Sequence, residues 1–500
     1  MNYEAITTDP DVIVGDVSQV HRNIIGWYLY LFSSEPFIVS AIATYVPVLL
    51  EQFARLNGVT VHDHSKPCTP ADAKCVLPMF NETLFIDSSS FALYTFSLSV
   101  FCQALIVISV SGVVDMCKTV SFKRQVLLFF GVLGAVNTIL ISRLHFTQYY
   151  SLALLSILAN CCYGVINVVG NSLLPMLVDD LKTLTNSYGD VNRDQLTSTI
   201  SGRGSGFGYI AALYVQVCCF WLVKSSKSKE NIQVAVLFVG IWWLLFQLPM
   251  SWMLQDVRLV NTPRVHQFQW RQSTKYLKYG WKSLSQSCRH AKLLKDVLVF
   301  LLGWFIVSDS ITTINSTAIL FSKTELHMSL IGLILISIIT MLSAIFGAFF
   351  IPQFLSQKLK VSSQRTLIYI ICWSSLIPLY GILGFVFTNI GLKTPFEMYL
   401  LAVWYGISLG GLAAVSRTVF TLIIPKGMES TFFSLFSLTD KGSSILGPLL
   451  VGLITDKTHN IRYSFYLLFA FLVISLPIFN ALDVERGKRE ASELTDLQDE

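Results

Sequence analysis

The sequence predicts an all-α membrane protein of twelve transmembrane helices in two six-helix pseudo-repeats, and three observations carry that prediction. Of 500 residues, 53% are hydrophobic and 13% charged, with a mean hydropathy of +0.59, against about 25% charged in a soluble domain. The apolar residues gather into twelve runs of roughly 20 residues, the length that crosses a hydrocarbon core about 30 Å thick. These runs form two groups of six, separated by one long basic connection at 255–296.

Residues 1–23 open the chain with Glu4, Asp9, Asp11 and Asp16 and no Lys or Arg among the first twenty. This is the reverse of a cleavable signal peptide, so the first apolar run is expected to direct insertion itself. The first half, 24–254, holds runs near 24–54, 90–114, 126–142, 149–176, 206–223 and 232–254, with a long first loop at 57–89. The connection 255–296 carries Arg258, Arg264, Arg271, Lys275, Lys278, Lys282, Arg289, Lys292 and Lys295 against Asp256 and Asp296. The second half, 297–482, holds runs near 297–321, 329–351, 366–388, 398–424, 431–454 and 462–482. Pro36, Pro47, Pro175, Pro249, Pro378 and Pro448 interrupt runs, where each frees a backbone carbonyl and permits a bend. The acidic tail, 483–500, is expected to be disordered.

An even number of spans puts both termini on one side. Lys and Arg number 23 on that side against 11 on the other, so the positive-inside rule places the termini and the connection in the cytosol. The connection supplies most of that bias, and long loops carry the least weight. The first loop votes the same way: Asn81-Glu82-Thr83 is a glycosylation sequon, and Cys68 and Cys75 suit a small disulfide in an oxidising lumen. Chance also produces such features, so both stand as expectations. The net charge of +5 is concentrated in loops rather than along one face, which speaks for orientation and against a nucleic-acid partner. Cys161-Cys162 and Cys218-Cys219 read as small apolar packing residues.

Two carboxylates lie where a bilayer disfavours them. Glu35 and Asp309 sit about a dozen residues into the first and seventh runs, near the membrane midplane at roughly 1.5 Å per residue. A carboxyl there costs about 2.5–3.5 kcal/mol on insertion scales and usually faces a bundle interior or a wet cavity. An internal repeat pairs them. Arg203-Gly204-Ser205 at the start of span 5 recurs as Lys441-Gly442-Ser443 in span 11, and Tyr163-Gly164 in span 4 recurs as Tyr405-Gly406 in span 10. The offsets are similar and the ranks match, as expected of parallel duplicated halves. Glu35 and Asp309 are therefore equivalent positions and the candidates for transport or proton coupling, facing one shared cavity.

Gly112-Val113-Val114-Asp115, followed by Lys118, Lys123 and Arg124, resembles the span 2–3 signature of the major facilitator superfamily. The matching turn of the second half, 353–365, keeps Lys358, Lys360 and Arg365 without the Asp. Gly202, Gly204, Gly206 and Gly208 have no preceding strand, so close helix packing explains them better than a phosphate loop. Arg203 and Lys441 have two readings: gate or substrate-carboxylate residues, pairing with Asp440 or Asp115 when they close a gate, or snorkelling side chains at the interface. Arg417 lies deep in span 10 and needs a partner or water. His62 and His64 lack further metal ligands, and no nucleophile stands beside a base, so the sequence points to no metal, cofactor or enzyme activity.

Several stretches together are similar to the fungal autophagy-related vacuolar amino-acid effluxers, a branch of that superfamily. They run from Gly26-Trp27-Tyr28 through Glu35-Pro36-Phe37 to Leu49-Leu50-Glu51-Gln52-Phe53-Ala54-Arg55, then Gly170-Asn171-Ser172-Leu173-Leu174-Pro175 and Ser201-Gly202-Arg203-Gly204 with Gly208-Tyr209. Ser416-Arg417, Phe432-Phe433, Thr439 to Ser444 and Gly447-Pro448 complete the set. The resemblance implies a vacuole-membrane transporter that returns neutral amino acids such as leucine to the cytosol after autophagic breakdown, and it adds Asn171 to the candidate residues. Alternating access, with protons as the coupling ion, is the expected mechanism. The alternative is a non-transporting membrane sensor or scaffold of the same fold.

Overall fold

The computed structural model describes residues 17–60, 66–68, 75–79, 83–117, 119–185, 193–225, 231–257, 281–282, 294–326, 328, 330–387, 390–443, 446–447, 450–451, 454, 458 and 460–499. The first span is one long helix with a wide turn in its middle: α1 (Val17–Pro36), a π-helical stretch (Phe37–Tyr45) and α2 (Val46–Leu56). Pro36 causes the change. It has no N–H for the carbonyl of Phe32 four residues earlier, and the indole N–H of Trp242 donates to that carbonyl at 3.1 Å instead. Glu35 sits immediately before this bend.

The remaining helices are α3 (Ser88–Met116), α4 (Val120–Ile141), α5 (Tyr149–Thr185), α6 (Arg193–Ser225), α7 (Asn231–Met253), α8 (Lys295–Thr324), α9 (Leu330–Ile351, with a π-helical extension Pro352–Lys358), α10 (Ser363–Leu383), α11 (Pro395–Ile423), α12 (Glu429–Ser443), α13 (Ser464–Ala481) and α14 (Val484–Asp499). Among the described residues, eleven helices are long and apolar enough to cross a membrane. The expected run at 431–454 opens as α12 and continues into residues partly outside the described set, including Pro448. Lys118 and seven of the nine basic residues of the connection, all but Lys282 and Lys295, also lie outside it.

The repeat seen in the sequence has a packing counterpart. Gly164 of α5 lies against Gln103 of α3, and Gly406 of α11 lies against the backbone of Thr340 and Ala344 of α9. Span 4 thus meets span 2 as span 10 meets span 8, each through a glycine that leaves no room for a Cβ.

Two segments differ from expectation. The first loop holds an antiparallel sheet in the order β1 (Val59–Thr60), β2 (Cys75–Met79), β3 (Leu84–Asp87), anchored to the helices by a hydrogen bond from the Tyr149 hydroxyl to the Pro78 carbonyl at 3.3 Å. Cys75 and Leu77 are buried, an alternation of period two that marks the strand. Cys68 and Cys75 are joined in a disulfide there; Asn81, His62 and His64 lie outside the described residues.

The tail is not disordered, a correction to the sequence reading: it forms α14, docked under the ends of α8 and α11. The carboxylate of Asp483 caps it by accepting the N–H groups of Glu485 and Arg486 at 3.0 and 3.1 Å. These donors hold the Asp483 carboxyl below its usual range. Arg486 donates twice to the fully buried Asp296, at 2.7 and 2.8 Å, and Gly487, Ala491 and Leu494 form the buried face. Burial next to Asp296 pushes the Glu490 carboxyl up. Composition alone hides such a helix, because its few small apolar residues stabilise it only against a surface already built.

Candidate functional site

A polar cluster occupies the interior between the halves. Glu35 lies on Gly208 of α6, whose added Cβ would stand 3.3 Å from the Glu35 side chain. The cations facing it are Arg417 of α11 and Lys441 of α12, both from the opposite half. Arg417 donates to the Ser205 hydroxyl at 3.1 Å and stands 5.8 Å from the ring centroid of Trp27, within cation–π range. Trp27 is fixed by its N–H on the Gly170 carbonyl at 2.7 Å. Among the described residues no ion pair joins Glu35 to either cation, so the two signs face each other across a gap.

One helical stripe of α5 lines the same place, because Tyr163, Asn167 and Asn171 recur every four residues. Asn171 donates to Asn167 at 3.2 Å, Asn167 to the Tyr163 hydroxyl at 3.5 Å, and Tyr30 of α1 to Asn171 at 3.5 Å. Tyr209 of α6 faces Glu35, Arg417, Tyr405 and Asp440. Asp440 accepts from Ser308 at 2.7 Å and from the indole of Trp304 at 3.2 Å, and Lys441 stands 3.9 Å from it.

Glu35 and Asp309 have equivalent neighbours and unlike surroundings. Each meets a glycine of the equivalent span, Glu35 on Gly208 and Asp309 on Gly447. Asp309 is buried, and its carboxylate accepts the Gly447 N–H at 2.9 Å. Glu35 is only partly buried and faces the cations.

The face that carries the chain termini is closed by bonds between the halves. Asp115, buried at the end of α3, accepts the N–H of Ser430 at 2.9 Å and the N–H and hydroxyl of Thr431 at 2.7 and 2.6 Å, capping α12 across the interface. A helix N-terminus carries partial positive charge and unpaired N–H groups, which is why a carboxylate suits it. Lys123 is buried beside it, donating to the Ser172 carbonyl at 3.0 Å, with Glu429 at 4.0 Å. Asp179 of α5 pairs with Arg193 at 2.9 Å and with Lys426 of the other half at 3.0 Å.

A second closure lies at the start of α10. Asp194 of α6 accepts the N–H of Ser363 at 3.1 Å and also its hydroxyl, at the start of α10. The turn 353–365 has lost its own Asp, and the acid here comes from the other half. Ser198 and Ser356 stand 3.2 Å apart, and Ser201 donates to the Ala414 carbonyl at 2.9 Å.

Of the residues singled out from sequence, the structure brings Glu35, Arg417, Asn171, Asp440 and Lys441 into one region. It places Asp115 at the closure and Asp309 against Gly447. Arg203 is exposed and faces Tyr28 within its own half. Asp179, Asp194 and Glu429 were missed, and Lys123 was read only as part of the basic turn after Asp115. Their only signal was charge at span ends, which ordinary turns share. Among the described residues, no three His, Cys, Asp or Glu side chains gather into a metal-binding group.

Paired helical bundles with a charged interior and one bonded face define a membrane transporter of the major facilitator fold. The solved structure of a proton:xylose symporter of that superfamily, 14% identical, superposes with a TM-score of 0.62 over 95% of this chain and 99% of the other. The superfamily transporter FucP in its outward conformation, 12% identical, gives 0.60 over 93% and 98%. The chain belongs to the vacuole effluxer Atg22-like family, whose profile matches residues 19–492. Autophagy-related protein 22 of Eremothecium gossypii is 62% identical over 499 residues, covering 100% of this chain and 98% of the relative. That of Saccharomyces cerevisiae is 58% identical over 505 residues, covering 96% and 95%. Family and fold are those of transporters rather than enzymes.

Proposed function

We propose that the protein exports neutral amino acids, leucine among them, from the vacuole lumen to the cytosol after autophagic degradation, by alternating access between its two halves. The observation that carries this reading is the unpaired opposition of Glu35 and Arg417 from different halves. A zwitterion fits it: the carboxylate meets the guanidinium, as a planar fork favours, and the ammonium meets Glu35 and the Asn167–Asn171 stripe. Binding one ligand from both halves couples its occupancy to their rotation. Glu35 is also placed to take a proton when the ligand leaves, which is the proposed coupling; Asp309 is the second candidate.

With the termini cytosolic, the bonded face is the cytosolic gate, and opening it requires the Asp115 cap and the Lys123–Glu429 and Asp179–Lys426 pairs to break. The disulfide-closed first loop supports a lumenal position for the opposite face. The test is amino-acid release from vacuolar vesicles with and without the protein. Faster leucine release with the protein supports the exporter, and equal release refutes it in favour of a sensor or scaffold.

A further inference from the structure

The charged cluster accounts for the two ends of a zwitterion but not for its side chain, and a separate apolar patch lies next to it. Tyr209 of α6 and Ala344 and Ala348 of α9 are buried together as a cluster apart from the main core. Met341 and Ile345 of α9 and Leu409 and Ala413 of α11 pack on it while remaining partly exposed.

Tyr209 joins this patch to the charges, because the groups facing it include Glu35 and Arg417. Ala413 stands one helical turn before Arg417 and Leu409 a turn before that, so all three share a face of α11. None of the seven patch residues carries a charge, so an ionised side chain placed there would lose its water without gaining a partner.

We propose that this patch is the side-chain pocket of the transport site, taking the apolar side chain of an amino acid held by Arg417 and Glu35, with the small Ala413 setting the largest side chain admitted. The inference rests on the amino-acid reading above and adds the residues that would set its selectivity. An apolar pocket discriminates by roughly 10- to 200-fold for each methylene gained or lost, so filling it should act on large substrates and spare small ones.

The experiment is counterflow of labelled leucine, glycine and tryptophan in proteoliposomes holding the purified full chain. Ala413→Phe should lower leucine exchange about tenfold or more while glycine exchange stays within about twofold. Ile345→Ala, which enlarges the pocket, should raise tryptophan exchange relative to leucine. Equal losses for leucine and glycine in Ala413→Phe, or an unchanged tryptophan-to-leucine ratio in Ile345→Ala, would overturn the pocket and leave the amino-acid reading standing. A wild-type protein that exchanges none of the three overturns the amino-acid reading, and the pocket falls with it.

Discussion

Neutralising Asp115 should open the terminus-bearing face. Its carboxylate accepts three hydrogen bonds from the start of α12, at 2.9, 2.7 and 2.6 Å, while buried. Asn keeps the shape and one acceptor oxygen but turns an NH2 toward donors, so about two charge-assisted bonds are lost, each worth roughly 1.5–3 kcal/mol against a charged acceptor. Water replaces part of this once the halves separate, and capping substitutions bound the net effect at about 2 kcal/mol. That shifts the closed-to-open equilibrium by roughly 30-fold.

The reporter is a cysteine at Met176, which lines a cavity of about 250 Å³ with Asp115, Lys123, Asp179 and Glu429, in a background without other free cysteines. A membrane-impermeant thiol reagent on the terminus-bearing side should label it up to about 30-fold faster in Asp115→Asn. Asp256→Asn is the control, because Asp256, at the start of the connection, accepts the N–H of Ser121 in the first half. Unchanged labelling in both Asp115→Asn and Glu429→Gln would refute the reasoning, since the bonds would then hold nothing shut.

Asp194→Asn should act on the same equilibrium by about 1 kcal/mol or roughly fivefold in the same labelling assay; labelling equal to wild type counts against a closure that includes the start of α10. Arg486→Ala should release α14, seen as faster protease cleavage of the tail from the terminus-bearing side with leucine transport retained; protection equal to wild type would mean the Asp296 pair does not hold the helix. The Asp483 cap, being held low, contributes above the usual aspartate range and is lost as pH falls through its lowered value, whereas Glu490, held high, favours docking as it protonates; Asp483→Asn should therefore remove the acid-side weakening of tail protection, and an identical pH profile would argue against the cap. Glu35→Gln should abolish the pH dependence of leucine flux while Asp309→Asn, which retains an acceptor for Gly447, leaves it in place; the reverse pattern would move the coupling site to Asp309.

The apolar runs and their division into halves were legible in the sequence, because membrane insertion is decided by local composition over about 20 residues. Arg417 was legible as a cation in apolar surroundings, and Asn171 only through the family resemblance. The partners were not. Asp115 meets Ser430 and Thr431 more than 300 positions away, and only the packing of two bundles brings a carboxylate to that helix start. Lys123 looked like a turn charge, yet it is buried on the Ser172 carbonyl. Glu35 and Asp309 looked alike because rank and depth are sequence properties; what separates them is the Gly447 N–H, a backbone group that no side-chain pattern reveals.

The most direct test of the central claim is leucine efflux from vacuolar vesicles carrying wild type, Arg417→Ala or Arg203→Ala at matched protein levels. The account predicts that Arg417→Ala loses efflux down to the level of vesicles lacking the protein, while Arg203→Ala, altered at an exposed contact with Tyr28, retains most of it. Efflux unaffected by Arg417→Ala, or lost equally in both variants, would contradict the assignment of the Glu35–Arg417 gap as the amino-acid site.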